Sequence, residues 1–353
     1  MERLRSFFSA RNADALLVTH LPNIAYLCGF TGSNGVLLVE ASDTTLFTDS
    51  RYTFQARDEV HDATTSIVAG PLLTGVSVAL KRRRGIVRLG FSPVQLSVAQ
   101  KLALDAALLQ KVRWVEATNA VERLRAIKDA HELAAMRAAA QLIDAVWESS
   151  LAAAKPGVSE LSVAAEIEYG MKRLGASGAS FETIIASGPR SAWAHARPTS
   201  KLLRKNELVV MDQGAILRNY CSDMTRTVFL GRASSRIRRM YHAVLNSQET
   251  AKAAIRPGIT AGAVDAAARD TLKKYRLDQF FTHSTGHGLG TEVHEMPRLG
   301  RGEETVLEKG MVITVEPGVY VEGLGGIRIE DDLVVTDTGC ESLTNAKREL
   351  IEL

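Results

Sequence analysis

The sequence predicts an α/β (α+β) chain of two domains, and three observations carry that prediction. Its 353 residues exceed the ~100–200 that one domain usually takes. Short β-rich runs alternate with helical patterns over the first third. The remainder repeats itself at an interval of about one hundred residues.

In the first domain, residues 1–120, the runs ADALLVTH, GVLLVE and TTLFT are β-rich and bounded by turn residues, as strands are. The run VQLSVAQKLALDAALLQ instead spaces its apolar residues for a helix. Near VEATNAVERLRAIKDAHELAAMRAAAQLIDAVWESSLAAAKPG the texture becomes a long Ala-rich helical region with Pro156 and Gly157 as its stop. That change puts the boundary close to Val121 and a second domain over residues 121–353.

The second domain aligns with itself. KPGVSELSVAAEIEYGMKRLG from Lys155 matches RPGITAGAVDAAARDTLKKY from Arg256, 101 residues on, and each copy is a Pro-Gly turn, an N-cap hydroxyl (Ser159, Thr260) and an amphipathic helix. Further on, HARP with His195 meets HEMP with His294, 99 residues apart; Asp212 after ELVVM meets Glu316 after MVITV, 104 apart; Asp223 meets Glu330, 107 apart. Four matches in one order imply two copies of a helix plus antiparallel strands, packed so that their sheets bury a shared core. A site between the halves receives equivalent elements from both.

Composition excludes several function classes. A formal charge of +3 gives no global field for nucleic acid or anionic lipid. The basic run KRRRG at residues 81–85 reads as a solvated turn rather than a phosphate patch. Cys28, Cys221 and Cys340 lack metal or redox spacing and read as buried thiols in a reducing compartment. No apolar run approaches the ~18 residues of a membrane span, so a soluble, cytoplasmic protein is expected.

Asp212 follows a buried-type strand, and an unpaired buried carboxylate costs several kcal/mol, so it must be paired, neutralised or metal-bound. Asp223 lies eleven residues on in the same hairpin, and Glu316 and Glu330 repeat the pattern in the second copy. Four converging acids raise one another's pKa unless cations intervene. With a histidine they form an oxygen and nitrogen cage suited to Mn²⁺, Co²⁺, Fe²⁺ or Zn²⁺. Five ligands suit two ions ~3.5–4 Å apart, as in two-metal hydrolases. In HSTGHGLGTEVHEMP, Gly286 and Gly288 flank His287 and let its backbone approach a metal cluster closely. His294 pairs with His195 across the repeat, which suits substrate contact and stabilisation of a tetrahedral intermediate. His283 stands beside or behind as a hydrogen-bonding group.

The segments MDQGAILRNYCSDMTRT, HSTGHGLGTEVHEMP, MVITVEPGVY and GIRIEDD resemble the pita-bread metallopeptidases, a group that includes methionine aminopeptidase, prolidase and aminopeptidase P. YLCGFTGSNGVLLV and LFTDSRYTFQA look like the creatinase-type N-terminal domain of aminopeptidase P and prolidase. The resemblance implies that Asp212 chelates one metal, His287 and Glu316 the other, and that Asp223 and Glu330 bridge both. It implies Glu316 as general base, His195, His283 and His294 as substrate-facing groups, with His195 and His294 catalytic, and Arg328, beside the site, as a substrate-binding residue.

The implied reaction is hydrolysis of an N-terminal Xaa-Pro peptide bond, with two divalent ions, Mn²⁺ first among them, lowering the pKa of water from 15.7 toward roughly 7. Proline-containing peptides are the implied substrates and a homodimer the implied assembly. Short GFTGSNG and TDSRY segments look more like aminopeptidase P than prolidase, the dipeptide-specific alternative. Creatinase, which works without metal, and a ligand-depleted binding module of the same fold both sit poorly with five intact ligand positions.

Overall fold

The β-rich runs of the first third pair into one six-stranded sheet, in the order Thr64–Ile67, Thr44–Thr48, Val36–Glu40, Ala15–Val18, Arg88–Phe91, Arg113–Glu116. Side chains alternate across a strand. Leu16, Val18, Leu37 and Val39 therefore enter one apolar cluster, while Ala15, Leu17, Val36 and Leu38 enter another on the opposite face. Helices cover both faces, which is why these central strands are buried along their whole length and read as continuous apolar runs. In this computed structural model, residues 2–83, 86–108 and 112–353 are described, and the chain divides into two units, Met1–Arg125 and Ala126–Leu353. Of the basic run, Lys81 and Arg82 are exposed at the end of the helix Leu72–Arg82, and Arg84 and Gly85 lie outside the described residues.

The second unit carries the repeat in its geometry. Two 14-residue helices, Glu160–Arg173 and Ala261–Lys274, start at Ser159 and Thr260, whose hydroxyls accept from the backbone N–H of Ser162 and Ala263. Each follows a Pro-Gly turn whose glycine takes a left-handed conformation, φ 91° at Gly157 and φ 87° at Gly258, which a side chain would strain. Each also packs against a longer helix, Ala130–Ala153 in the first half and Ser235–Ala254 in the second. The Ala-rich region is interrupted rather than continuous. Glu122–Ala126 forms a short helix, and a capping box between Asp129 and Glu132 starts the next.

Behind the helices lie a four-stranded sheet (Ile351–Glu352, Met224–Phe229, Leu208–Gln213, Ile184–Ser187) and a five-stranded one (Glu295–Leu299, Gly286–Gly288, Val312–Val315, Asp331–Val335, Cys340–Ser342). One core cluster draws Leu208 and Phe229 from the first sheet and Ile313, Val315 and Leu333 from the second. All three cysteines are free thiols. Cys28 and Cys221 are buried as expected, but Cys340 is only half-buried because its strand is the outer one of its sheet. No helix among the described residues is long and apolar enough to cross a membrane.

Candidate active site

Strand register brings the first pair of acids together. Leu208–Gln213 and Met224–Phe229 are antiparallel with Asp212 opposite Thr225. Asp223 precedes Thr225 by two residues and so points to the same face. The chain between them turns back through a tight hairpin at Arg218 and Asn219, both with positive φ (53° and 66°), the conformation that two-residue hairpin loops require. In the second half Val315 is opposite Asp331. Glu316 follows the one strand and Glu330 precedes the other, so this hairpin presents its two acids at matching ends.

His287 arrives on Gly286–Gly288, hydrogen-bonded between two neighbouring strands. Its flanking glycines serve these neighbours and not, as expected, the approach to a metal cluster. A Cβ on Gly286 would stand 2.0 Å from the Thr314 carbonyl oxygen, and one on Gly288 2.1 Å from that of Met296.

Asp212, Asp223, His287, Glu316 and Glu330 all line one cavity of about 240 Å³, together with His195, His294, Arg328, Phe181, Ile184 and Val293. Donor atoms of Asp223, His287 and Glu330 lie within 4.8 Å of one another. His287 Nε2 is 3.7 Å from Asp223 Oδ2 and 3.6 Å from Glu316 Oε1. Its Nδ1 donates to the Gly288 carbonyl at 2.9 Å, which leaves Nε2 with its lone pair aimed at the acids. Burial lowers the His287 pKa to about 4, so the ring is neutral at physiological pH.

The acids are shifted the other way. Burial, and then mutual repulsion, pushes Asp223 and Glu330 well above the carboxylate range. Glu316 is raised by burial to about 8, against the pull of the Arg328 guanidinium. Arg328 is the one buried cation lining the cavity. It donates to Asp212 Oδ2 at 2.6 Å, Thr225 Oγ1 at 3.0 Å, and the Ala194 carbonyl and Tyr320 hydroxyl at 2.9 Å. Thr225 passes the contact on, donating to Glu330 Oε2 at 2.6 Å.

His195 and His294 are exposed on the cavity wall. The His294 ring stands edge-on to His287, centroids 4.5 Å apart. His283 does not line this cavity but stands beside its acids, its Nδ1 3.9 Å from Glu316 Oε2. Its Nδ1 donates to the Ser284 carbonyl at 2.8 Å, and its Nε2 accepts from the Tyr320 hydroxyl at 2.9 Å. Burial lowers its pKa to about 3, which keeps it a neutral acceptor. It supports Tyr320, and through it Arg328. Sequence reading missed Tyr320, Thr225 and Asp332, whose Oδ2 accepts the Asp223 backbone N–H at 2.9 Å. Strand alternation from Asp223 points to Thr225; Tyr320 and Asp332 carry no such signal.

These residues fit divalent cations. Asp212, Asp223, Glu316 and Glu330 face one buried guanidinium, that of Arg328, and Asp212 Oδ1 and Asp223 Oδ1 are buried without a hydrogen-bond partner. Carboxylate oxygens with one imidazole nitrogen are donors for hard or borderline ions.

The comparisons agree with this chemistry. Residues 134–337 match Metallopeptidase family M24, and residues 1–127 match the Creatinase/Prolidase N-terminal domain. The chain belongs to metallopeptidase family M24. An Xaa-Pro dipeptidase of Pyrococcus horikoshii is 34% identical over 99% of this chain and 98% of its own length. The solved structure of an Xaa-Pro dipeptidase from Bacillus anthracis superposes with a TM-score of 0.96 at 39% identity, covering 100% of this chain and 98% of the other. That of an X-Pro aminopeptidase from Thermotoga maritima gives 0.91 at 33%, covering 100% and 99%. The chain is thus an M24 hydrolase with the creatinase-type N-terminal and pita-bread domains that the resemblance implied, and the family's metal dependence agrees with the donor set.

Proposed function

We propose that this M24 hydrolase is an Xaa-Pro dipeptidase working with two divalent cations, Mn²⁺ first among them. The observation that supports it most is the convergence of all five donor residues in one small cavity of a chain matched end to end by Xaa-Pro dipeptidases. A cavity of about 240 Å³ is below the ~300–1,000 Å³ of pockets for drug-sized ligands and favours a short substrate.

In this reading Asp212, Asp223, His287, Glu316 and Glu330 would together hold the two ions. Bound there, the ions would supply Lewis acidity and lower the pKa of water toward roughly 7. Glu316 takes the proton released as water attacks the scissile carbonyl and delivers it to the departing proline nitrogen. His195 and His294 donate hydrogen bonds to the developing oxyanion and to the substrate backbone. Phe181, Ile184 and Val293 offer an apolar wall for the proline ring, whose nitrogen needs no donor's partner because an Xaa-Pro bond has no N–H. Arg328 fixes the orientation of Asp212, with Tyr320 and His283 behind it. A cytoplasmic homodimer is part of the proposal, on the grounds of composition and the family resemblance.

The second reading, an Xaa-Pro aminopeptidase, is favoured by the GFTGSNG and TDSRY segments and by the likeness to the Thermotoga protein. Supplying Mn²⁺ and comparing an Xaa-Pro dipeptide with Xaa-Pro-Yaa peptides decides between them. Cleavage of the dipeptide alone is expected. Efficient cleavage of the longer peptides refutes dipeptide specificity in favour of the aminopeptidase, and cleavage of neither refutes both.

A further inference from the structure

The hydrolytic reading leaves several buried carboxylates unused, Glu160 among them. Glu160, the first residue of the helix Glu160–Arg173, has no exposed surface. Both its oxygens are saturated with donors. Oε1 accepts from the Ser187 N–H at 2.9 Å and the Ser187 hydroxyl at 2.8 Å. Oε2 accepts from the Thr199 N–H at 3.1 Å, the Thr199 hydroxyl at 2.8 Å and Arg190 Nε at 3.2 Å. Ser187 ends the strand Ile184–Ser187, and the segment 188–198 that follows carries His195 to the cavity wall. One carboxylate therefore ties together both ends of that segment. Arg190 closes its interior by donating to the Arg197 carbonyl at 2.6 Å.

The second half does the same with a different residue. Asp265, 1% exposed, accepts from the Thr285 N–H at 3.2 Å and the Thr285 hydroxyl at 2.8 Å. It also pairs with Arg269 at 2.7 Å, which donates to the Phe281 carbonyl at 2.9 Å and to the His283 carbonyl. That arrangement ends two residues before His287. Across the 101-residue offset, Glu160 corresponds to Ala261 and Asp265 to Ala164, so the acids stand one turn apart on the same helix face. Each half closes its histidine-bearing segment onto a buried acid of its own helix.

We infer that Glu160 is the positioning residue for His195, holding the 188–198 segment so that the imidazole meets the substrate. The inference rests on the proposed substrate role of His195. Glutamine replaces Glu160 poorly: its amide NH₂ can give a hydrogen bond to the Ser187 or Thr199 hydroxyl, but on that side it would also face a backbone N–H and leave that donor buried and unpaired.

The test is a double-mutant cycle on whichever Xaa-Pro substrate the wild-type protein cleaves, using Glu160→Gln, His195→Ala and both together, with Mn²⁺ affinity measured in parallel. Glu160→Gln should lower kcat/KM by up to ~100-fold, the scale of an ångström's misplacement, with Mn²⁺ affinity unchanged. In the His195→Ala background it should cause no further loss. A full additive loss in the double variant, or a loss of Mn²⁺ binding in Glu160→Gln, overturns the inference alone. An unimpaired His195→Ala overturns the parent reading of His195 and the inference with it. Thr199→Val, which removes one of the donors, runs through the same cycle with the same criterion if Glu160→Gln does not fold.

Discussion

Replacing Asp223 with Asn separates the fold's need for this residue from the metal's. Without metal, burial and then the carboxylates of Glu330, Asp212, Asp332 and Glu316 push the Asp223 carboxyl well above the usual range, which favours its neutral form. Asn matches that species in size and polarity. The hydrogen bond that Asp223 gives to Asp332 comes from its backbone, and its Oδ1 has no partner to lose. The metal-free variant should therefore lie within ~0.5 kcal/mol of wild type, or about 2 °C in Tm. With metal the two part company. A cation at a hundred times its Kd stabilises the folded state by ~2.7 kcal/mol, about 5–10 °C for a unit of this size. The variant lacks the anionic bridge and should lose that increment together with hydrolysis. Thermal unfolding with and without Mn²⁺ after chelation, with metal content by mass spectrometry, measures both. A variant that keeps the increment refutes the bridging role. One whose metal-free Tm falls by the whole increment refutes the claim that the fold does not need the charge.

A second prediction concerns pH. Glu316 is raised from its ordinary 4.5 to about 8, chiefly by burial, so the stability it contributes to the chelated protein is complete below about 4.5 and lost as pH rises through 8. Chelated wild type should thus lose Tm across that window more steeply than Glu316→Gln, and parallel profiles would contradict the shift. A third prediction tests the buried pair between Lys128 and Glu295, 3.2 Å apart with side chains 1% and 4% exposed. Lys128→Met takes the ammonium from a buried carboxylate that keeps Thr291 and Glu292 as donors, and should cost ~3–5 kcal/mol in urea unfolding, most of it recovered on adding Glu295→Gln; a neutral single variant would show that the pair carries no such weight.

How much of this was legible beforehand follows from the range of each interaction. The helices after Pro156 and Pro257, their caps at Ser159 and Thr260, and the convergence of four acids are written in local patterns and in their recurrence one hundred residues on. The supporting contacts are not local. Thr225 meets Glu330 across 105 positions and Arg328 reaches back 134 to Ala194. Glu160 finds Ser187 and Thr199 only once the segment between them has closed. His283 shows the limit best. Its spacing from His287 places it beside the site, but nothing local points to its hydrogen-bond partner Tyr320, 37 residues on, brought beside it by the strand after Glu316. The glycines around His287 were noticed for the right residue and the wrong neighbour, since strand contacts at Thr314 and Met296 require them.

The division of the acids between two hairpins bears on how the protein matures. Asp212 and Asp223 come from one half, and Glu316, Glu330 and His287 from the other. Neither half alone assembles the cage, and the carboxylates repel one another when the halves meet without cations. In the proposed reading a cation would therefore find its full set of donors only in a chain whose two halves have found each other, and a chain with one half misfolded would have no complete site.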